Sequence, residues 1–168
     1  MADITIVATA KSATANSFIT LADADTYANG MADDTEWDAA TTDAKNRALK
    51  SATDRLEQET YRGAITDQDQ RLSWPRVGTY DRNGLLFDQD TIPRPIEEAT
   101  VELANAIIKG EYEVSDTGLE GFVNVKIGPL DVTPNHGKIA TTLPKTVLRL
   151  LEPVRYGASG LSVHISRS

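Results

Sequence analysis

The residue types that carry chemistry are present in this chain, but their spacing does not assemble a site. His136 and His164 are the only histidines and fall on separate elements, with no HxH or HExxH pattern between or around them. A zinc site needs three or four ligands converging on one point, and these two do not supply them. Adjacent or near-adjacent carboxylates occur at Asp23/Asp25, Asp33/Asp34 and Glu97/Glu98. Paired carboxylates perform acid–base work when burial splits their pKa values. Here each pair sits at or near an expected helix N-terminus, where negative charge meets the helix dipole favourably. Phosphate loops, dinucleotide fingerprints and nucleophile elbows are missing. The sequence is therefore expected to be neither an enzyme nor a holder of metal or cofactor.

One segment carries two readings. Trp74-Pro75-Arg76, with Tyr80 and Arg82 close behind, combines aromatics with arginines. Single-strand binders use such sets to stack bases and hold phosphates. The alternative is that Trp74 anchors its loop on the helices while Arg76 pairs with an acidic neighbour. Composition favours the second. The chain of 168 residues has 25 acidic against 17 basic residues, a net charge of −8, whereas nucleic-acid binders show a basic excess that neutralises phosphates.

The elements that would position these residues read as mainly α: a small helical bundle with a few short β segments and an extended C-terminal tail. One domain is expected, divided into an N-terminal arm or short strand over 1–15, a helical body over 16–114, and extended segments with a short helix and tail over 115–168. Thr20 followed by Asp23 marks a helix start, and Asn29-Gly30 its end. A polar loop at Asp33-Asp34-Thr35 leads to Trp37. A second helix is expected over 42–60, where Ala48, Leu49, Ala52 and Leu56 recur at helical spacing. Asp43–Arg47 and Arg55–Glu59 support it as i,i+4 pairs, and Gly63 is its stop. Asp81-Arg82-Asn83-Gly84 is a turn. Ile92-Pro93-Arg94-Pro95-Ile96 opens a third helix with Ile96, Ala99, Thr100, Leu103, Ala106 and Ile107 on its apolar face and Gly110 at its close. Residues 122–127 alternate as a strand, 130–132 continue extended, and a short helix spans 142–151 before Pro153.

The hydrophobic fraction, 40%, is low, and Trp, Tyr and Phe together number only ten. Part of the chain is thus expected to order against a partner. The absence of cysteine excludes disulfides and thiol chemistry and fits a reducing compartment. No apolar run reaches the roughly 20 residues of a bilayer span, and no signal peptide is read at Met1-Ala2-Asp3-Ile4.

The order of motifs resembles the head–tail connector adaptors of tailed bacteriophages, a family in which some members carry a DnaT-like single-stranded-DNA-binding label. The series begins with Asn16-Ser17-Phe18-Ile19-Thr20-Leu21-Ala22-Asp23-Ala24-Asp25-Thr26-Tyr27 and Trp37. The helix from Ala48-Leu49 to Leu56 follows, then Tyr61-Arg62-Gly63. Gln70-Arg71-Leu72-Ser73-Trp74-Pro75-Arg76 comes next, before Ile92-Pro93-Arg94-Pro95-Ile96 and Glu102-Leu103-Ala104. Val125-Lys126-Ile127-Gly128-Pro129-Leu130 and Leu148, Leu150-Leu151-Glu152-Pro153 complete it. Single pieces are weak signals. The ordered series, over roughly 16–156, is the specific one.

The resemblance implies a virion protein of the neck, made in the host cytoplasm, that assembles as a homo-oligomeric ring under the portal protein. Twelve copies are expected by analogy with the twelvefold portal. Such a ring extends the DNA channel and meets the next connector, stopper or tail protein. DNA passes without specific binding, and no membrane is involved. Two other roles stay open: a single-stranded-DNA-binding replication accessory, and a stopper or tail-completion protein. Twelve copies would carry a formal charge of about −96, enough to repel DNA if it lines the channel. Subunit contacts are expected from Trp74, Arg76, Phe122, Val123, Val125 and Ile127. Portal contacts are expected from Arg155, Tyr156, Leu161, Val163, Ile165 and Arg167. The tail beyond Gly157 either docks on the portal as an added strand or packs on its own subunit.

Overall fold

The computed structural model describes residues 4–111, 125–127, 130–132 and 143–156. Among them are five α-helices and two short two-stranded ladders, so the architecture is mainly helical as the sequence predicts. The helices are α1 (Leu21–Ala28), α2 (Thr35–Ala39), α3 (Thr42–Leu56), α4 (Arg94–Ile108) and α5 (Lys145–Leu151).

Helix α4 is the hub and packs against the other four. Its apolar set is wider than one stripe. Ile96, Ala99, Val101, Leu103, Ala104 and Ala106 are buried, together with Thr100 and Asn105. Burial on almost every side requires narrow side chains, and alanine lets neighbouring helices approach closely. Thr100 satisfies its hydroxyl on the Ile96 carbonyl at 2.8 Å. Pro95 occupies the first turn, where no intrahelical donor is missed, and Gly110 leaves the helix at φ 68°.

Helix α3 buries the predicted stripe of Ala48, Leu49, Ala52 and Leu56 against α4. Its start is capped by Thr41, which accepts from the Ala44 amide. It stops at Leu56, four residues before the predicted end, because Glu57 and Glu59 are engaged elsewhere. The Glu57 carboxylate accepts from the Ser73 amide (2.9 Å) and hydroxyl (2.6 Å). Glu59 lies between Arg55 (3.0 Å) and Arg155 (2.7 Å).

In α1, Thr20 caps as predicted, accepting from the Asp23 amide. Its hydroxyl also donates to the Asp23 carboxylate at 2.6 Å, so the reciprocal contact runs through side chains. Trp37, predicted to follow a loop, sits inside short helix α2 and is fully buried. Its indole donates to Asp25 at 2.8 Å, Lys45 reaches the same oxygen at 2.9 Å, and the Lys45 ammonium lies 5.4 Å from the Trp37 ring centre. This set ties α1, α2 and the start of α3 together.

The described part of the N-terminal arm, residues 4–15, folds back without forming a strand. Asn16 organises it, accepting from the Val7 amide and donating to the Thr5 carbonyl, both at 2.8 Å. Asn46 of α3 holds the Ile4 carbonyl. At the other end, Arg62 and Tyr156 pair their amides with the carbonyls of Val154 and Thr60, which clips the segment after α5 onto the chain after α3. Strand β3 (Val125–Ile127) pairs antiparallel with β4 (Leu130–Val132), Ile127 facing Leu130, a pairing the sequence reading did not anticipate.

The helix directions define two ends. Near the N-terminal end of α3, Lys45 contacts Asp25 and Trp37. Beside it, at the C-terminal end of α4, Lys109 holds Asp33 of the α1–α2 connection at 2.7 Å. The C-terminal end of α3 and the N-terminal end of α4 meet the loops over 57–87. The helices are therefore antiparallel, and fifteen residues at 1.5 Å each separate the ends by about 20 Å.

Candidate functional site

The loop end is built on two structural side chains. Strand β1 (Ala64–Ile65) pairs with β2 (Arg76–Val77) for only two residues, too little to stand alone. Arg76 reinforces it. Its guanidinium donates to the carbonyls of Arg62 (2.7 Å), Gly63 (2.8 Å), Ser73 (3.2 Å) and Tyr61 (3.4 Å). Burial lowers its pKa from the usual arginine value, while the Glu57 charge opposes that shift. Gly63 is required where it stands. Its φ is 71°, and a Cβ there would lie 2.1 Å from the Val77 carbonyl oxygen.

Trp74 is 1% exposed and meets Tyr61 edge to face, with ring centres 5.4 Å apart. The Tyr61 hydroxyl donates to the Leu56 carbonyl at 2.9 Å, and burial pushes its phenol well above the ordinary range, so it stays a donor. Gln70 closes the loop, accepting from the Asp67 amide and donating to the carbonyls of Leu72 and Pro75. The motif from Gln70 to Arg76 is thus an internal brace. Trp74 anchors the loop as one of the two readings holds. Arg76 takes carbonyls where an acidic partner was expected.

On this brace stands a second hairpin. Phe87 donates to the Thr79 carbonyl, Asp81 donates to that of Leu85, and Tyr80 bridges Leu86. The Asp81 carboxylate accepts from the Asn83 and Leu85 amides, both at 2.8 Å. The hairpin turns the apolar side chains of Leu85 (67% exposed), Leu86 (53%) and Tyr80 to solvent. Clefts of about 470 and 370 Å³ flank it. Arg62, Tyr80 and Glu152 line the first, and Phe87, Pro95 and Arg149 line the second.

The amides at Asp81, that of Leu85 foremost, hold its carboxyl below the usual carboxylate range. The folded carboxyl is the stronger acid, so this stabilisation is complete above the ordinary carboxylate pKa and is lost as pH falls through the depressed value. Acidification is expected to free the Asn83 and Leu85 amides while the bundle stays folded. Amide proton shifts followed from neutral to acid pH test this. Shifts at Asn83 and Leu85 that already change within the ordinary carboxylate range, or that never change as pH falls below it, would refute it.

The other expected site residues distribute unevenly. Trp74 and Arg76 are engaged inside their own subunit: Trp74 is 1% exposed, and the half-buried Arg76 donates to four carbonyls. Val125 and Ile127 lie on β3. Arg155 is paired with Glu59, and Tyr156 is 70% exposed. Phe122, Val123, Leu161, Val163, Ile165 and Arg167 lie outside the described residues, as do His136 and His164. No cluster of three or more potential metal ligands occurs among the described residues, and no described helix is long and apolar enough to cross a membrane. Sequence reading missed Leu85 and Leu86. Their signal was two adjacent leucines directly after a turn.

These features define a small, mainly α-helical protein with a braced, apolar-tipped loop end. A family model described as "Putative DnaT-like ssDNA binding protein" matches residues 3–168, and the chain belongs to that family. No curated protein and no solved structure matches the chain significantly.

Proposed function

We propose that this chain is a structural head–tail connector adaptor of a tailed phage, forming a ring beneath the portal protein and joining it to the next neck or tail component. The observation that carries this reading is the exchange of roles at the loop end. Trp74 and Arg76, the aromatic–cation pair best suited to stacking a base, are engaged internally. What faces solvent instead includes Leu85 and Leu86, aliphatic side chains that suit a protein partner. The net charge of −8 and the ordered series of motifs point the same way. A stopper or tail-completion role shares this location and differs in its neighbour.

The family description favours a second reading, single-stranded DNA binding. Tyr80 and Tyr156 are exposed, and Arg62 and Arg149 line the adjoining clefts. One experiment separates the two. The protein is weighed alone and after mixing with portal rings, and titrated with labelled oligothymidine at moderate salt. Association with portal in many copies and no DNA binding is the expected result. DNA binding that weakens with salt at about 0.7 log unit per phosphate contacted, without portal association, would replace the adaptor reading by the second.

A further inference from the structure

Among the described residues, the large exposed hydrophobics gather on one end. Ile65, Tyr80, Leu85, Leu86 and Tyr156 all fall on segments 60–65, 76–87 and 152–156. Those segments are held together by the Ala64–Val77 pairing and by the Arg62 and Tyr156 amides. The ion pairing around the hairpin is incomplete. Arg82 is matched by Glu152, and Asp81 is engaged by its own turn. Arg62, Lys145 and Arg149 make no ion pair among the described residues. Arg62 and Arg149, which line the two clefts beside the hairpin, thus place unpaired positive charge next to an apolar tip, with Asp88 the exposed acid that follows it.

The opposite end, about 20 Å away along α4, has the inverse character. Asp33, Glu36 and Glu111 act there on Lys109, which lies 2.7 Å from Asp33 and 3.9 Å from Glu36. The other cation of this end, Lys45, is taken by Asp25, and Asp34 and Asp38 flank Glu36 in the sequence. Asp34 and Asp38 have no basic partner among the described residues. Met31 and Ile108 are only partly buried beside them and offer apolar surface.

We infer that the 79–87 hairpin of one copy docks on the acidic α2 end of the next, making a head-to-tail contact between copies of this chain. Two complementary patches on opposite ends of one subunit cannot satisfy each other within it. They meet only through a heterologous contact, the kind that closes into rings. Opposite charge steers the encounter and fixes its polarity, while the leucines supply the area removed from water. The chain's own residues 157–168 fit the cleft less well, since Arg167 gives them the same sign as Arg62 and Arg149. This inference deepens the adaptor reading and rests on it for the closed ring.

The chain has no cysteine, so single thiols can be introduced cleanly. Leu85→Cys and Asp38→Cys proteins are mixed with a short bismaleimide, both free in solution and bound to portal rings. Asp54→Cys on α3 replaces Asp38→Cys in the control. The proposal expects about tenfold more one-to-one product from the Leu85/Asp38 pair than from the control, because contact raises the effective thiol concentration. It also expects a ladder of higher products from the double variant. Product no greater than the control in both settings overturns the interface, as does Leu85→Cys crosslinking mainly to itself. Oligothymidine shielding Leu85→Cys from maleimide, without Leu85–Asp38 product, would assign the face to nucleic acid instead. The specific product without portal association keeps the interface and rejects the adaptor role. Portal association without it does the reverse.

Discussion

Trp74→Ala is expected to cost about 3–5 kcal/mol of folding stability, the range for removing a fully buried large aromatic. A domain of this kind has on the order of 5–15 kcal/mol in total, so the variant should be close to unfolded at physiological temperature. The loss has two parts. The indole fills the space between the loop and the C-terminal end of α3, and its edge-to-face contact with Tyr61 disappears with it. The indole N–H finds no acceptor among the described residues. Trp74→Phe keeps the aromatic contact and deletes that unsatisfied donor, so it should cost much less than alanine. Urea unfolding of the three proteins decides the matter. A Trp74→Ala protein as stable as the parent would show that the side chain is not a core anchor. It would also return Trp74 to the set of candidate binding residues.

Arg76→Lys is the second large effect, expected at about 2 kcal/mol despite the unchanged charge. A planar fork reaches four carbonyls in different directions, whereas an ammonium on a single stem does not. The carbonyls of Tyr61, Arg62 and Gly63 would lose donors, and the two-residue pairing of β1 with β2 has little else to hold it. The readouts are the urea midpoint and amide exchange at Ile65 and Val77. A charge-only role predicts that lysine rescues fully, and full rescue would refute the geometric account.

The helical body was legible because its signals are local and periodic. The stripe from Ala48 to Leu56, the Thr20 cap, the proline opening of α4 and its Gly110 close each follow from a few neighbouring residues. The end of α3 was misplaced because Glu57 and Glu59 favour helix by propensity but bind distant partners, Ser73 and Arg155. The short helix around Trp37 has too few residues for a period to show. The loop end was the least legible part. Its composition, Trp with Arg, is that of a binding loop, and only the positions of four carbonyls reveal Arg76 as a brace. The character of each end also depends on which charges go unmatched, and that is set by tertiary distance.

The hairpin over 79–87 is tied from within by Asp81, which engages the amides of both Asn83 and Leu85, and it stands on the loop fixed by Arg76 and Trp74. Its apolar tip is therefore braced by its own turn, and the docking proposed above would meet a preformed surface. Association then loses little conformational entropy at that site, so modest buried area converts efficiently into affinity. Loosening the turn without touching Leu85 or Leu86, as Asp81→Ala does, would weaken binding by restoring freedom to the unbound state.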